Sequence, residues 1–133
     1  MIEAKNIEIY NTNVTNHNKD KCHVILVKSN EFLINNCTFS NNIASHAIYS
    51  SLISTTGEKT GLKGTITNSI FKSNTVKYGC IYFGASKYPL TITGTQFFAN
   101  GVASASDHSS CIKLETSPIV KIDSCTFANN VDL

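Results

Sequence analysis

The sequence predicts an all-β fold, a right-handed parallel β-helix of four to five coils that forms a single segment over residues 1–133. Three observations lead to this fold. A short motif recurs four times in fixed register, β-branched and aromatic residues dominate between clusters of Asn and Ser, and polar joins of unequal length separate the motifs. Constant motifs with variable joins are typical of solenoids, in which each repeat packs only on its neighbours.

The recurring motif is an Ile, followed after four residues by a Phe and after two more by an Asn. It occupies residues 34–42, 66–74, 92–100 and 122–130 without a gap. A weaker copy begins at Ile9, has Val14 at the Phe position and places Asn16 and Asn18 beside the Asn position. Residues alternate between apolar and polar around each Ile and Phe, which predicts strands with one buried face over 33–39, 65–71, 90–97 and 120–127.

Stacking such units places like residues above one another at the inter-strand spacing of about 4.8 Å. An Asn at a repeated corner tolerates a left-handed backbone and can hydrogen-bond to its neighbour in the stack. Isoleucines would form one internal column. The predicted structural ladder consists of Phe39, Phe71, Phe97 and Phe127, with Asn42, Asn74, Asn100 and Asn130 at the corner. A β-sandwich, the rival fold, has no reason to keep Phe-x-x-Asn in phase four times.

A second block follows three of the Phe residues and predicts a second strand in each unit. It covers residues 46–49, 79–82 and 110–113, with 22–25 as the first copy. The joins between units are 18–21, 52–61, 84–89 and 101–109, and they are polar, rich in Ser or contain Gly. Variation in repeat length is therefore absorbed by loops, as in other solenoids.

The Phe-x-x-Asn tetrapeptides, alternating with a small-small-Ala-Ile block, resemble the repeats of chlamydial polymorphic outer membrane proteins and, more broadly, the pectate-lyase-like β-helix superfamily. The matching tetrapeptides are residues 39–42, 71–74, 97–100 and 127–130. The chain departs from that pattern because Gly is scarce and Cys80 and Cys111 stand where Ala is usual. The resemblance implies a secreted or surface-exposed β-helix that serves in adhesion or as structure.

The five cysteines do not predict a metal site, because none has Cys-x-x-Cys spacing and the four His are scattered. Cys80 and Cys111 directly precede the second-strand Ile of adjacent units, which makes them a candidate disulfide. Cys37 and Cys125 share another slot but lie three units apart, about 14 Å, too far to bond. The alternative is that all five cysteines are small buried residues in a reducing compartment.

Two Asn-x-Thr sequons make Asn13 and Asn36 candidate glycosylation sites. Chance supplies about this number in a chain with fifteen Asn, so they lend only mild support to secretion. A signal peptide is not recognisable, and an extracellular protein would then be represented by its mature form or by an excised piece. An extracellular or cell-surface location is expected.

Composition excludes several classes of function. All eleven basic residues are Lys, so the bidentate guanidinium clamps common at phosphate and sugar-acid sites are absent. A net charge of +2 does not suggest a nucleic-acid partner. No uninterrupted apolar run exceeds four residues, so no membrane-spanning helix is expected.

No catalytic constellation, cofactor site or metal site is predicted. Polysaccharide-cleaving β-helices gather acidic and basic residues on one sheet, whereas the nine carboxylates here do not repeat in register. Asp107-His108 lies in a Ser-rich join and is interpreted as a solvated loop. The predicted function is therefore a non-enzymatic structural or adhesive module, and the alternative is a carbohydrate-binding or polysaccharide-cleaving β-helix.

Two outer faces could still recognise a ligand. Thr-x-Thr pairs at 65–67 and 91–93 resemble the rows of ice-binding proteins, but Leu33, Asn35, Lys121 and Asp123 take the same slots in other coils. Tyr49 and Tyr82 are predicted to share a slot, with Lys113 in the third. A patch of two rings that stacks on glycans or a host surface is the most that this pattern predicts.

The two ends of the stack are predicted to be open. Ile119, Ile122 and Phe127 would be exposed at one end, and Ile7, Ile9 and Val14 at the other. Terminal coils without polar caps expose apolar side chains and unpaired backbone. The expected partners are therefore neighbouring coils of a longer chain, or other copies stacked end to end into a filament.

Overall fold

The computed structural model describes residues 2–3, 6–18, 25–28, 31–44, 53–55, 63–77, 79–83, 88–102, 111–114 and 119–131. These residues form a parallel β-helix of five coils, in which equivalent strands of successive coils pair in parallel. The predicted fold class is confirmed.

Each coil consists of short strands in a constant order. Coil 1 contains β1 (Ile2–Glu3), β2 (Asn6–Tyr10) and β3 (Asn13–Thr15). Coil 2 contains β4 (Ile25–Lys28), β5 (Glu31–Asn35), β6 (Thr38–Ser40) and β7 (Ile43–Ala44). Coil 3 contains β8 (Ile53–Thr55), β9 (Lys63–Thr67), β10 (Ile70–Lys72) and β11 (Thr75–Val76). Coil 4 contains β12 (Ile81–Phe83), β13 (Leu90–Thr93), β14 (Gln96–Phe98) and β15 (Gly101–Val102), and coil 5 contains β16 (Ile112–Leu114), β17 (Val120–Asp123) and β18 (Thr126–Ala128).

The strands stack into four sheets. Sheet A has the order β1-β4-β8-β12-β16, sheet B the order β2-β5-β9-β13-β17, and sheet C the order β3-β6-β10-β14-β18. The small sheet D contains β7, β11 and β15, and single bridges at Asn18 and Val131 extend its line to coils 1 and 5. Each residue therefore lies directly above its counterpart in the previous coil.

Two columns of large apolar side chains fill the interior, as the repeat predicts. Sheet B aligns Ile9, Ile34, Ile66, Ile92 and Ile122. Sheet C aligns Val14, Phe39, Phe71, Phe97 and Phe127. The four Phe rings stack almost parallel, with centroids 4.9, 4.9 and 4.8 Å apart. This distance is the strand spacing itself, so identical rotamers are enough to keep the rings in contact.

A third interior column depends on a small residue. Sheet B aligns Phe32 with Gly64 and Gly64 with Leu90. A Cβ atom at Gly64 would lie 2.6 Å from the Phe32 ring and 2.9 Å from Leu90. Gly64 therefore leaves the room into which the larger neighbours above and below extend. Nothing in the four-fold motif indicated this role.

The predicted long strands are wrong in one respect, because each is divided by a corner between sheets B and C. The corner residue has a left-handed backbone in every coil, with φ between 49° and 59°. The five corner residues are Asn11, Asn36, Asn68, Gly94 and Ser124. One left-handed residue turns the chain sharply, and Asn and Gly adopt that conformation at the lowest cost. Coils 2, 3 and 4 therefore contain four short strands each rather than two.

The second-strand block was also placed incorrectly in coil 3. The strand that pairs with β12 is Ile53–Thr55, with Ile53 opposite Ile81. Residues 46–49 lie outside the described residues. The reason is the number of residues between the strand in sheet A and the next strand in sheet B. In coil 4, Ile81 of sheet A precedes Ile92 of sheet B by eleven residues. Ile53 precedes Ile66 by thirteen, whereas Ile48 would precede it by eighteen.

Candidate functional site

The asparagine ladder occupies the corner that follows sheet C. In coils 2 to 5 a left-handed residue at position 41, 73, 99 or 129 turns the next side chain inward. That side chain belongs to Asn42, Asn74, Asn100 and Asn130, the four residues predicted from the repeat. Nδ2 of Asn42, Asn74 and Asn100 donates to Oδ1 of the next Asn at 3.0, 2.9 and 3.0 Å.

Each ladder amide makes further hydrogen bonds to the backbone. Nδ2 of Asn74 donates at 2.9 Å to the carbonyl oxygen of Phe39 in the preceding coil. The backbone N–H of Asn74 donates to Oδ1 of Asn100 at 3.2 Å. The same two bonds recur for Asn42 and Asn100, with the carbonyls of Val14 and Phe71. The ladder therefore has a direction, because Oδ1 always receives its hydrogen bonds from the preceding coil.

A second polar column, buried in coils 2 to 4, was not predicted as a set. It lies one residue after the first corner and contains Thr12, Cys37, Ser69, Thr95 and Cys125. Oγ of Ser69 donates to the carbonyl of Thr67 at 2.8 Å and accepts the N–H of Cys37 at 3.1 Å. Thr95 repeats this arrangement with Thr93 and Ser69. The shared slot of Cys37 and Cys125 was the only sign of this column in the sequence.

Coil 5 exposes an apolar edge. Ile122 is 50% exposed whereas Ile92, its neighbour in the column, is 0% exposed. Phe127 is 47% exposed whereas Phe97 is 0% exposed. Other large apolar side chains of the same edge are also exposed, and they are Leu114, Ile119 and Val131. Among the described strands, β16, β17 and β18 pair on one side only. At this edge, strand backbone without a neighbouring strand therefore lies beside exposed apolar side chains.

The opposite end is less open than predicted. Ile7 is only 6% exposed and belongs to the core, while Ile9 and Val14 are partly buried against it. The prediction is therefore wrong for Ile7. Ile7 is aligned with Phe32, which is completely buried, and this neighbour keeps Ile7 in the core.

The ladder slot of coil 1 is occupied by His17 and not by an Asn. The backbone N–H of His17 donates to Oδ1 of Asn42 at 3.0 Å, as a ladder residue does. Its Nε2 atom is buried and has no hydrogen-bond partner among the described residues. The sequence pattern placed Asn16 and Asn18 beside this slot without identifying the residue in it. Asn16 is instead the left-handed corner residue.

Cys80 and Cys111 lie beside each other, as predicted, because the N–H of Ile81 donates to the carbonyl of Cys111 at 2.9 Å. Both side chains are thiols in this structure, so the disulfide stays a prediction. Cys80 is completely buried, and burial, with a smaller contribution from nearby Cys111, raises the pKa of its thiol well above the ordinary value. Cys37 and Cys125 lie three coils apart in one column, as predicted. Cys22 lies outside the described residues.

The two outer faces give different results. Thr65 and Thr67 pair with Thr91 and Thr93, and Lys121 and Asp123 continue these rows, so the predicted register is confirmed. The tyrosine patch is wrong. Tyr82 is aligned with Ser54 of β8 and not with another Tyr, and it is only 4% exposed. Tyr49 lies outside the described residues. Such a ring cannot stack on a sugar from solvent.

Both sequon asparagines are exposed. Asn13 lies on β3, and Asn36 is a left-handed corner residue. Nδ2 of Asn36 donates to Oδ1 of Asn11 at 2.7 Å. A glycan attached to Asn36 would replace one of the two hydrogens on this Nδ2 atom. Glycosylation at either site stays a prediction.

Within the described ranges no cluster of three or more His, Cys, Asp or Glu side chains could hold a metal ion. The same ranges contain no helix long and apolar enough to cross a membrane. Asp107 and His108 lie outside them. Asp123 is exposed on β17, where its carboxylate accepts a hydrogen bond of 3.3 Å from Oγ of Ser124.

No protein-family model, curated protein or solved structure matches this chain.

Proposed function

We propose that this chain is a non-enzymatic structural or adhesive module of an extracellular or cell-surface β-helix, whose fifth coil is completed by a further coil. The observation that carries the proposal is the loss of burial at coil 5, where Ile122 and Phe127 are half exposed in columns that are fully buried in coils 2 to 4. Complete burial of one such side chain contributes about 1.5–3 kcal/mol. An added coil is therefore stabilised by the interaction that already joins coils 4 and 5.

Two occupants are candidates for this edge, namely a neighbouring coil of a longer solenoid and another copy of this chain. Copies stacked end to end make a heterologous contact that does not close, and such a contact produces a filament. In both cases the stack presents long outer faces of Thr, Asn, Ser and Lys to a glycan or to a host surface. The exposed sequon residues Asn13 and Asn36 support a secreted location.

An adhesion assay combined with a chemical assay tests this proposal. Beads coated with the full chain are offered to cell layers and to a glycan array, while release of reducing sugars is measured in parallel. We expect the beads to be retained and no sugar to be released. Retention no greater than that of albumin-coated beads would contradict an adhesive role and leave the structural one. Sugar release that disappears in Asp123→Asn or Asp107→Asn would favour a polysaccharide-cleaving β-helix instead.

A further inference from the structure

The hydrogen bonds between coils make the two sides of a coil chemically different. The side that faces the next coil presents donors, which are the backbone N–H and one Nδ2–H of the ladder Asn. The side that faces the preceding coil presents the Oδ1 acceptor of that Asn, together with the other Nδ2–H, which donates to a backbone carbonyl of that coil. A further coil can therefore dock on coil 5 with all bonds made only if it brings an acceptor to the ladder slot.

The edge of coil 5 presents the donor side. Oδ1 of Asn130 is already used, because it accepts from the N–H and Nδ2 of Asn100 at 3.0 Å each. Nδ2 of Asn130 donates back to the carbonyl of Phe97 at 3.0 Å. By the repeat, the second Nδ2–H and the N–H of Asn130 point to where a sixth coil would place Oδ1. Beside them, one face of the Phe127 ring is stacked on Phe97 and the other is open.

Coil 1 offers neither of the groups that this edge needs. Its Phe slot holds Val14, which has no ring to stack on Phe127. Its Asn slot holds His17, which has no amide oxygen. Nε2 of His17 is buried within the chain, so it cannot accept a hydrogen bond from a second molecule unless the side chain moves. A second copy would still bring Ile9 to the Ile column and Val14 to the Phe column. It would also pair Lys121 with Glu8 on the surface, but exposed pairs of this kind contribute little.

We infer that the coil that completes the fifth coil carries Phe and Asn in the same two columns, and that coil 1 of a second copy is a poor substitute for it. The occupant is thus a parallel β-coil of the Phe-x-x-Asn type, and its contact with coil 5 continues the contact already present between coils 4 and 5. This inference rests on the proposed function and specifies its partner. The direction of the ladder hydrogen bonds accounts for both ends of the stack, because coil 5 presents donors and coil 1 offers no amide oxygen to match them.

The test converts coil 1 into a matching coil within the full chain. The Val14→Phe, His17→Asn double variant supplies a ring that extends the Phe39 stack and an Oδ1 that can accept from Asn130. Sedimentation velocity over a range of concentrations, with negative-stain microscopy, measures end-to-end association. Because each unmade hydrogen bond to a buried donor weakens binding by about tenfold, we expect the double variant to self-associate at least tenfold more tightly than the natural chain.

Two controls separate matching from added apolar area. Thr15→Phe places a ring of the same size on the outer face of β3, out of register with the Phe column, and should not increase association. Phe127→Lys in the double-variant background should abolish it. If circular dichroism shows that the double variant is misfolded, His17→Asn alone is measured, and a smaller increase is expected.

The inference is overturned if the natural chain already associates as tightly as the folded double variant, or if His17→Asn and the double variant leave association unchanged. These outcomes are distinct from failure of the proposed function. Tight stacking of the natural chain would preserve a structural module and change only its partner. Sugar turnover would remove the module function and say nothing of the ladder.

Discussion

Nδ2 of Asn74 donates a hydrogen bond of 2.9 Å to Oδ1 of Asn100, its counterpart in the next coil. Asn74 lies at the centre of the ladder and makes five hydrogen bonds with Asn42, Asn100 and the carbonyl of Phe39. All of them lie in the buried interior or beside it. The stack is therefore held by a polar column as well as by the apolar ones.

Asn74→Ala should lower the free energy of unfolding by about 3 kcal/mol or more, because it leaves buried donors and acceptors in two neighbouring coils without partners. Urea unfolding followed by circular dichroism measures the change. Asn13→Ala is the matched control, since Asn13 is exposed on a strand, and it should alter stability by less than about 0.5 kcal/mol. Equal changes in the free energy of unfolding would show that the ladder Asn stabilises the fold no more than an exposed Asn does.

Gly64→Ala should destabilise the protein by about 1–3 kcal/mol, because the added methyl group would lie 2.6 Å from the Phe32 ring. The control is Gly101→Ala, where the nearest atom to an added Cβ lies at 3.9 Å. Thermal melts of both variants test this expectation. A Gly64→Ala protein as stable as the natural chain would mean that Phe32 can move aside without cost.

Ile122→Lys should cost less than about 1 kcal/mol in the isolated chain, because the charged group can reach water from the half-exposed edge of coil 5. Ile92→Lys places the same charge in the fully buried part of the same column and should prevent folding. Expression in soluble form and the melting temperature distinguish the two variants. If both substitutions were equally damaging, the edge of coil 5 would be covered in the isolated chain.

Alkaline pH should destabilise the folded chain through Cys80. Burial raises the pKa of this thiol in the folded state, so the folded protein keeps a proton that the unfolded chain loses above about pH 8.5. Stability is therefore intact below that pH and falls above it, by up to about 1.4 kcal/mol per pH unit, until the folded thiol itself ionises.

Melting temperatures between pH 7 and 10 test this dependence on Cys80. The Cys80→Ala variant should lose less stability over this range than the natural chain, although it starts from a lower value. Cys125→Ala is the control, because Cys125 lies on the partly exposed fifth coil. The same alkaline slope in the natural chain and in Cys80→Ala would contradict the expectation.

The residues that the sequence placed correctly are those that repeat without a gap. Phe39 and Phe71 stack because the same number of residues separates each from its Ile and its Asn, and a solenoid turns equal spacing into equal position. The ladder at Asn42 and Asn74 follows for the same reason. Periodicity alone was sufficient for these columns.

The sequence by itself therefore determined the fold class, the Ile and Phe columns, and the ladder from Asn42 to Asn130. The tertiary structure alone decided the positions that depend on loop length and on individual side-chain contacts. It placed Ile53 opposite Ile81 in sheet A, His17 in the first ladder slot and Gly64 beneath Phe32. The physical reason is that stacking repeats a pattern once the register is set, whereas loops of unequal length leave the register open, and only packing of neighbouring side chains selects it.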